Sequence, residues 1–206
     1  MTFAEMGANL DLEIDESIGY WFNDTEKSYF LNKAVDRFRD KAYAEFEVNE
    51  MARNKLRQLV VDSAPQAGAT FSLAAITDLT YALRLRGNFT VSCKGGDSQS
   101  VVRRIKPEQV DDLFEQDPFS VGINTDPKYE EVANTLIIKS DTAPTNVILT
   151  YLKAPTTVDI AGNPLGTVEI PEQFHHEIID LARDIALENV NSPRYPSAVN
   201  DTVTQT

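Results

Sequence analysis

The sequence predicts an α+β protein. Helices stand at both ends of the core, two N-terminal and one C-terminal, packed with a central antiparallel sheet. Three observations carry this expectation. Apolar residues recur at helical spacing over 24–45, 49–62 and 171–190. Between 79 and 153 they alternate with the period of a strand. Proline and glycine punctuate the joints between these runs.

Residues 1–22 show no firm periodicity. Gly7, Gly19 and scattered acids read as an N-terminal arm, with Ile18, Tyr20, Trp21 and Phe22 as its anchor. Asn23 and Glu26 then form a capping-box pattern. Phe30, Ala34, Phe38 and Ala42, flanked by Leu31 and Val35, make one apolar stripe on a helix over 24–45. Asn49 caps a second helix over 49–62, with Ala52, Leu56, Leu59 and Val60 as its stripe. Arg53 and Arg57 lie four apart on it, with Glu50 near enough to compensate their repulsion. Pro65 and Gly68 break the pattern.

Leu79, Tyr81, Leu83 and Leu85 alternate with Thr80, Ala82, Arg84 and Arg86, as in a half-buried strand. Arg86-Gly87-Asn88 reads as a turn, after which Phe89, Val91 and Cys93 alternate again. Lys94-Gly95-Gly96-Asp97 is a second turn leading to a strand near 100–105. Pro107 opens a short acidic helix to Glu115, and 116–128 is a loop. Strands follow at 135–139 and 147–152. The second is apolar on both faces, which predicts a central position. Residues 156–170 cross over to a helix from Pro171, with Phe174, Ile178, Leu181, Ala182, Ile185 and Ala186 facing inward. The organisation expected is an arm at 1–22, one α+β domain at 23–191 and a polar tail at 192–206.

Function classes narrow from the 206 residues and their formal charge of −13. The length holds one domain, or a domain with a small subdomain. The acidic balance argues against non-specific nucleic-acid binding, which needs a cationic face. A single cysteine, Cys93, excludes an internal disulfide framework. No run approaches the roughly 20 apolar residues of a membrane span, and no signal or transit pattern opens the chain, so a cytoplasm-like site of synthesis is expected. The charge is also segmented. Residues 1–26 hold seven acids and no base, and 107–131 hold eight acids and only Lys128. Residues 27–106 between them carry eight acids and fourteen bases, a net of +6. These stretches are either solvated faces or surfaces for partners of opposite local charge.

Chemistry-bearing motifs are sparse. His175 and His176 point about 100° apart on a helix and cannot chelate one metal from one face. His176 is spaced to pair with Glu172 or Asp180. Lys94-Gly95-Gly96-Asp97-Ser98 lacks the ending of a phosphate-binding loop and precedes a strand, not a helix. Asp11, Glu13 and Asp15 lack the glycine and closing Glu of a calcium loop. Asp111, Asp112, Glu115 and Asp117 could attract a divalent cation or form a solvated face, with Asp111 and Glu115 on one helical face and Asp112 pointing elsewhere. No catalytic, cofactor-binding or metal-binding set is assigned. The enzymatic alternative is a hydrolase using His176, Asp180 and the acidic helix; the other is a monomeric binding module.

Two stretches do more than show periodicity. Phe30-Leu31-Asn32-Lys33-Ala34-Val35-Asp36-Arg37-Phe38 opens a long helix, followed by Arg53-Asn54-Lys55-Leu56-Arg57-Gln58-Leu59. Later, Leu149-Thr150-Tyr151-Leu152-Lys153-Ala154-Pro155-Thr156-Thr157 ends a strand, and Ile170-Pro171-Glu172 leads into His176-Glu177-Ile178-Ile179-Asp180-Leu181-Ala182. In this order they resemble the head-to-tail adaptor, or ring, proteins of tailed bacteriophages, most of all the virion ring proteins of crAss-like phages. The likeness spans about 25 to 191.

The resemblance implies a non-enzymatic virion protein without cofactors. It implies a homo-oligomeric ring that joins the portal to neighbouring tail or ring proteins around the DNA exit channel. DNA would pass without specific binding, and no membrane is involved. Asp111, Asp112, Glu115 and Asp117 are then the candidate lumen or ring-face acids, because an acidic wall does not retain DNA. Arg194, Tyr195 and Pro196 mark the candidate assembly tail, since polar ends can order on a neighbour.

Overall fold

The structure, a computed structural model, describes residues 1–18, 22–91, 96–105 and 126–190. It is α+β, with helices towards both termini and a seven-stranded sheet in the middle of the chain. The chain forms two compact units. One contains residues 1–59 and 155–206, the other residues 60–154.

The first unit is helical. Its α1 spans Phe3–Ile18, α2 Asp24–Ala44, α3 Glu50–Leu56 and α4 His175–Val190. The arm expected at 1–22 is therefore mostly a helix. Thr2 and Glu5 form a capping box: Glu5 N donates to Thr2 Oγ1 (3.3 Å) and Thr2 N to Glu5 Oε2 (2.8 Å). Phe3, Met6, Leu10 and Ile14 make a fully buried stripe, and α1 packs on α4. Gly7, which looked like a breaker, gives room: a Cβ there would stand 2.8 Å from Ile160 Cδ1. Capping and packing outweigh the glycine penalty of about 1 kcal/mol.

In α2 the expected capping box at Asn23 and Glu26 is present, and Phe30, Leu31, Ala34, Val35, Phe38 and Ala42 are buried. Lys27 ties α2 to α1, reaching Asp11 at 3.0 Å and Asp24 at 2.8 Å. Arg183 of α4 reaches Glu13 of α1 at 3.0 Å. Asp11 and Glu13 thus act as helix-joining acids. The crossover after 155 is pinned to α2 by Asn32, which donates to Val158 O (2.9 Å) and accepts from Val158 N (2.8 Å).

Two boundaries differ from expectation. The second helix ends at Leu56, not 62. Val60 and Val61 leave it to pair with Leu152 and Tyr151, where β-branched side chains fit. Pro171 stands outside the last helix with extended ψ, a 3₁₀ turn covers Glu172–Phe174, and α4 starts at His175.

The second unit is the sheet: β1 (Val60–Asp62), β2 (Thr70–Ser72), β3 (Leu79–Val91), β4 (Gly96–Arg104), β5 (Lys128–Val132), β6 (Thr135–Lys139) and β7 (Asn146–Lys153). Its order is β1-β7-β3-β4-β5-β6-β2. All pairs are antiparallel except β4–β5, which is parallel. The terminal strands β1 and β2 belong to one short segment. It bonds β7 first, through β1, Ser63 N to Leu149 O (2.8 Å) and the Gln66–Val147 bridge. It then bonds β6, through Ile138 N to Ala69 O (2.7 Å) and β2. The sheet consequently curls closed, and segment 60–72 covers the edges of both β7 and β6.

Side chains fill the interior: Phe71, Leu85, Phe89, Val102, Leu136, Ile138, Val147, Leu149 and Tyr151. The two-sided apolar strand β7 lies between β1 and β3, as its pattern predicts. The turn expected at Arg86-Gly87-Asn88 is instead the middle of β3. A Cβ on Gly87 would lie 2.7 Å from Phe89 Cε2 and 2.9 Å from Cζ. Glycine is there because the Phe89 ring occupies its side-chain space inside the barrel.

This close approach makes a test. Gly87→Ala is expected to cost about 1–3 kcal/mol by overpacking, measured by denaturant unfolding. Adding Phe89→Leu should make the double variant less damaged than the sum of its parts. Additive losses would show that the ring and the glycine are not coupled.

Candidate functional site

The sequence-selected acids Asp111, Asp112, Glu115 and Asp117, with the helix expected around them, lie outside the described residues. So do Arg194, Tyr195, Pro196 and Cys93. The described end of the acidic stretch is strand, not open acid. Asp126 is 3.6 Å from Arg103, Glu130 3.2 Å from Lys139, and Glu131 2.9 Å from Arg104.

These pairs flank a feature that the sequence did not reveal. Odd-numbered β3 residues such as Leu85 and Phe89 fill the barrel, so Arg84 and Arg86 face outward. Arg84 pairs with Thr150 of β7. The β3–β4 ladder ends at Leu85 opposite Val102, with Arg84 and Arg103 the next residue on each strand. Arg103 in turn pairs with Lys128, and Lys128 with Lys139. Arg103, Lys128 and Lys139 are thus paired across three adjacent strands, spaced about 4.8 Å apart, and Arg84 lies one residue past the end of the β3–β4 ladder. Arg103 has 75% of its side chain exposed. The bases are scattered between 84 and 139 in the chain, so only the register collects them.

At the end of the row towards β1, Asp62 accepts from Thr150 Oγ1 (2.6 Å) and Arg86 Nη2 (2.6 Å). These two bonds, Thr150 first, hold its carboxyl below the ordinary range. Asp62 also borders an open cavity of about 220 Å³ with Ser63, Gln66, Asp78 and Tyr151. Tyr151 donates to Asp78 Oδ1 at 2.9 Å, and burial, aided by that carboxylate, raises the phenol. Gln66 is committed to closing the segment: its side chain bonds Ser72 N and O at 2.9 and 3.0 Å.

In the helical unit, the turn joining α2 to α3 forms an exposed apolar knuckle. Val48 is 89% exposed and Met51 56%. Exposed Glu45, Glu47 and Glu50 surround them. Arg53 holds the turn's shape, donating to Phe46 O (2.9 Å) and Glu47 O (2.6 Å). That is where its charge is used. Lys55 bonds Glu177 at 2.6 Å and sits over the Phe38 and Phe174 rings, at 5.0 and 5.4 Å from their centres.

The two histidines differ. His176 is exposed, and its expected partners are engaged elsewhere: Glu172 with the Met1 amino group (3.1 Å) and Asp180 with Arg183 (3.5 Å). His175 is buried, bonded through Nε2 to Ile170 O at 2.8 Å, and its Nδ1 has no partner. Among the described residues no group of three His, Cys, Asp or Glu is placed to hold a metal, and no helix is long and apolar enough to cross a membrane. Compared with known proteins, the chain matches no family model and no curated sequence.

Burial depresses the His175 pKa, outweighing the Ile170 carbonyl, which favours the charged ring. The unfolded chain therefore takes up its proton at a higher pH than the folded one. Stability from the neutral ring is full above about pH 6.5 and is lost as pH falls below it. Urea unfolding of the protein between pH 7 and 5 should show this decline. His175→Leu should lower stability at pH 7 yet flatten the slope. An unchanged slope would exclude His175 as its source.

Proposed function

We propose that this protein is a non-enzymatic structural component of a tailed-phage virion, a head-to-tail adaptor that forms a homo-oligomeric ring between the portal and the next tail component. DNA passes through the assembly without specific binding. The observation that carries the reading is the closed and filled barrel. Its interior is occupied by side chains, so what it offers to partners is its outer face and its end loops. The helices over 24–44 and 175–190, with the strand over 146–153 between them, keep the order on which the family likeness rests. The acidic wall is assigned to Asp111, Asp112, Glu115 and Asp117; the neighbouring Asp126, Glu130 and Glu131 are already matched to bases.

A second reading, a monomeric binding module, draws on the open cavity bordered by Asp62, Ser63, Gln66, Asp78 and Tyr151. Electron microscopy of the purified chain mixed with a candidate portal separates the two. The adaptor reading expects symmetric density added beneath the portal. A portal left bare at saturating protein would reject it.

A further inference from the structure

We propose that residues 60–72 form a strap that opens as one unit while the five strands β3 to β7 stay paired, and that the Asp62 carboxylate is its clasp. The strap belongs to a single chain, so it operates whether or not the adaptor reading holds.

Burial marks the strap off from its surroundings. Leu59 and Phe71 are fully buried, and no residue from Val60 to Thr70 is buried. Leu85 and Phe89 of β3, and Val147 and Leu149 of β7, lie by contrast in the core. The middle of the strap is also poorly backed. Asp62, Ser63, Ala64 and Gln66 border the open cavity of about 220 Å³, which they share with residues 75–78 and Tyr151. Gly68, at φ +93°, has open space where a Cβ would stand. A segment with few buried apolar contacts and open space beside it belongs to the low-stability end of a fold. Phe71 keeps the closed form dominant, because opening withdraws its ring from the core.

Backbone bonds run along the whole strap. Ser63 N donates to Leu149 O (2.8 Å), Gln66 N to Val147 O (2.9 Å), Val147 N to Gln66 O (2.7 Å) and Ile138 N to Ala69 O (2.7 Å). The Gln66 side chain, bonded to Ser72 N and O, makes the two attachments one piece. Asp62 is the strap's only charged residue. It accepts from Thr150 Oγ1 of β7 and Arg86 Nη2 of β3, both at 2.6 Å, with Arg84 also acting on its charge and Asp78 and Tyr151 on the same cavity. The Thr150 and Arg86 bonds keep the carboxyl below its ordinary range. The clasp is therefore complete above about pH 4 and is lost as pH falls through the folded value. Closed, the strap hides the edges of β7 and β6; open, it leaves both bare on a sheet of five strands. It thus decides whether this sheet is capped or can take a further strand.

Native-state hydrogen exchange of the full chain, read by NMR, tests the strap. The amides of Ser63, Gln66, Ile138 and Val147 should exchange as one group, about tenfold or more faster than the core amides of β3, and with a weaker urea dependence because less surface is exposed. Asp62→Asn should speed this group about tenfold and remove the acceleration that the unmodified chain shows below about pH 4, after correction for intrinsic rates. Asp62 and Thr150 are a non-hydrogen-bonded pair beside the Ser63–Leu149 bond, so their side chains stand close. Asp62→Cys with Thr150→Cys offers a disulfide there. Oxidised, the strap amides should merge with those of β3; reduced, they should separate again. Protection of β3 in each variant shows that it folds.

Strap amides that exchange only at the β3 rate in the unmodified chain, or that split into independent groups, overturn the proposal. So does an oxidised pair that leaves Gln66 and Ile138 fast. An Asp62→Asn variant that exchanges like its parent at every pH overturns the clasp.

Discussion

The barrel depends on one short segment bonding in two directions. Residues 60–66 complete the edge of β7, and residues 69–72 complete the edge of β6. Without it, two strands would expose unpaired backbone donors and acceptors, the usual template for uncontrolled pairing. The segment achieves this by turning a corner at Gly68, whose φ of +93° favours glycine, and by using the Gln66 side chain as a backbone mimic against Ser72. Closure also fixes the register. Register fixes which residues point inward, and so places Phe71, Leu136, Leu149 and their neighbours in one core. The outward row of bases follows from the same constraint.

The helical unit solves a different problem, with polar side chains doing the joining. Its helices bury apolar stripes, but their mutual placement is specified by side chains that reach across sequence: Lys27 to Asp11, Arg183 to Glu13, Lys55 to Glu177, Asn32 to Val158. The three ion pairs are part-buried, Lys27 most of all, so removing one partner leaves the other charge poorly solvated, which an exposed pair would not. Asn32 differs in kind, because it satisfies both the donor and the acceptor of one part-buried backbone residue, and leaving such groups unpaired costs more than the bond returns. The acids of 1–26 are thereby partly accounted for within the fold.

The sequence was most legible where a single local rule sufficed. Asn23 with Glu26, and the stripe from Phe30 to Ala42, announce α2 almost to the residue. The two-sided apolar character of β7 gave its place inside the sheet, although it stands second in the order, between β1 and β3, and not at the centre. The first helix carried the same kind of signal, Thr2 with Glu5 and a stripe from Phe3 to Ile14, but Gly7 and the scattered acids obscured it. Gly87 misled for a related reason: glycine marks turns, and it also marks places where another group needs the space. The hairpin between β5 and β6 had no such marker, since Ala133 takes its left-handed position at φ 52°. Segment 60–72 reads as the tail of a helix and a loop because its strand character comes from partners more than 60 residues away.

The candidate surfaces follow the same division. A group assembled from Arg84, Arg103, Lys128 and Lys139 has no sequence signature, because the β3–β4, parallel β4–β5 and β5–β6 registers must all be known before these residues come together. The charge segments did hold half of the information. The basic middle of the chain supplies Arg84 and Arg103, while Lys128 and Lys139 come from and beyond the acidic stretch. A block count therefore assigns Lys128 to an acidic face, where register assigns it to a basic one. Net charge by segment describes the chain before folding. Once strands pair, neighbouring residues alternate between faces, and the surface seen by a partner is set by register. The opposite holds for the knuckle, where Glu45, Glu47 and Glu50 are close in sequence and a single turn keeps them together. That asymmetry is why the knuckle lies open in the sequence and the gathering of the bases requires the fold.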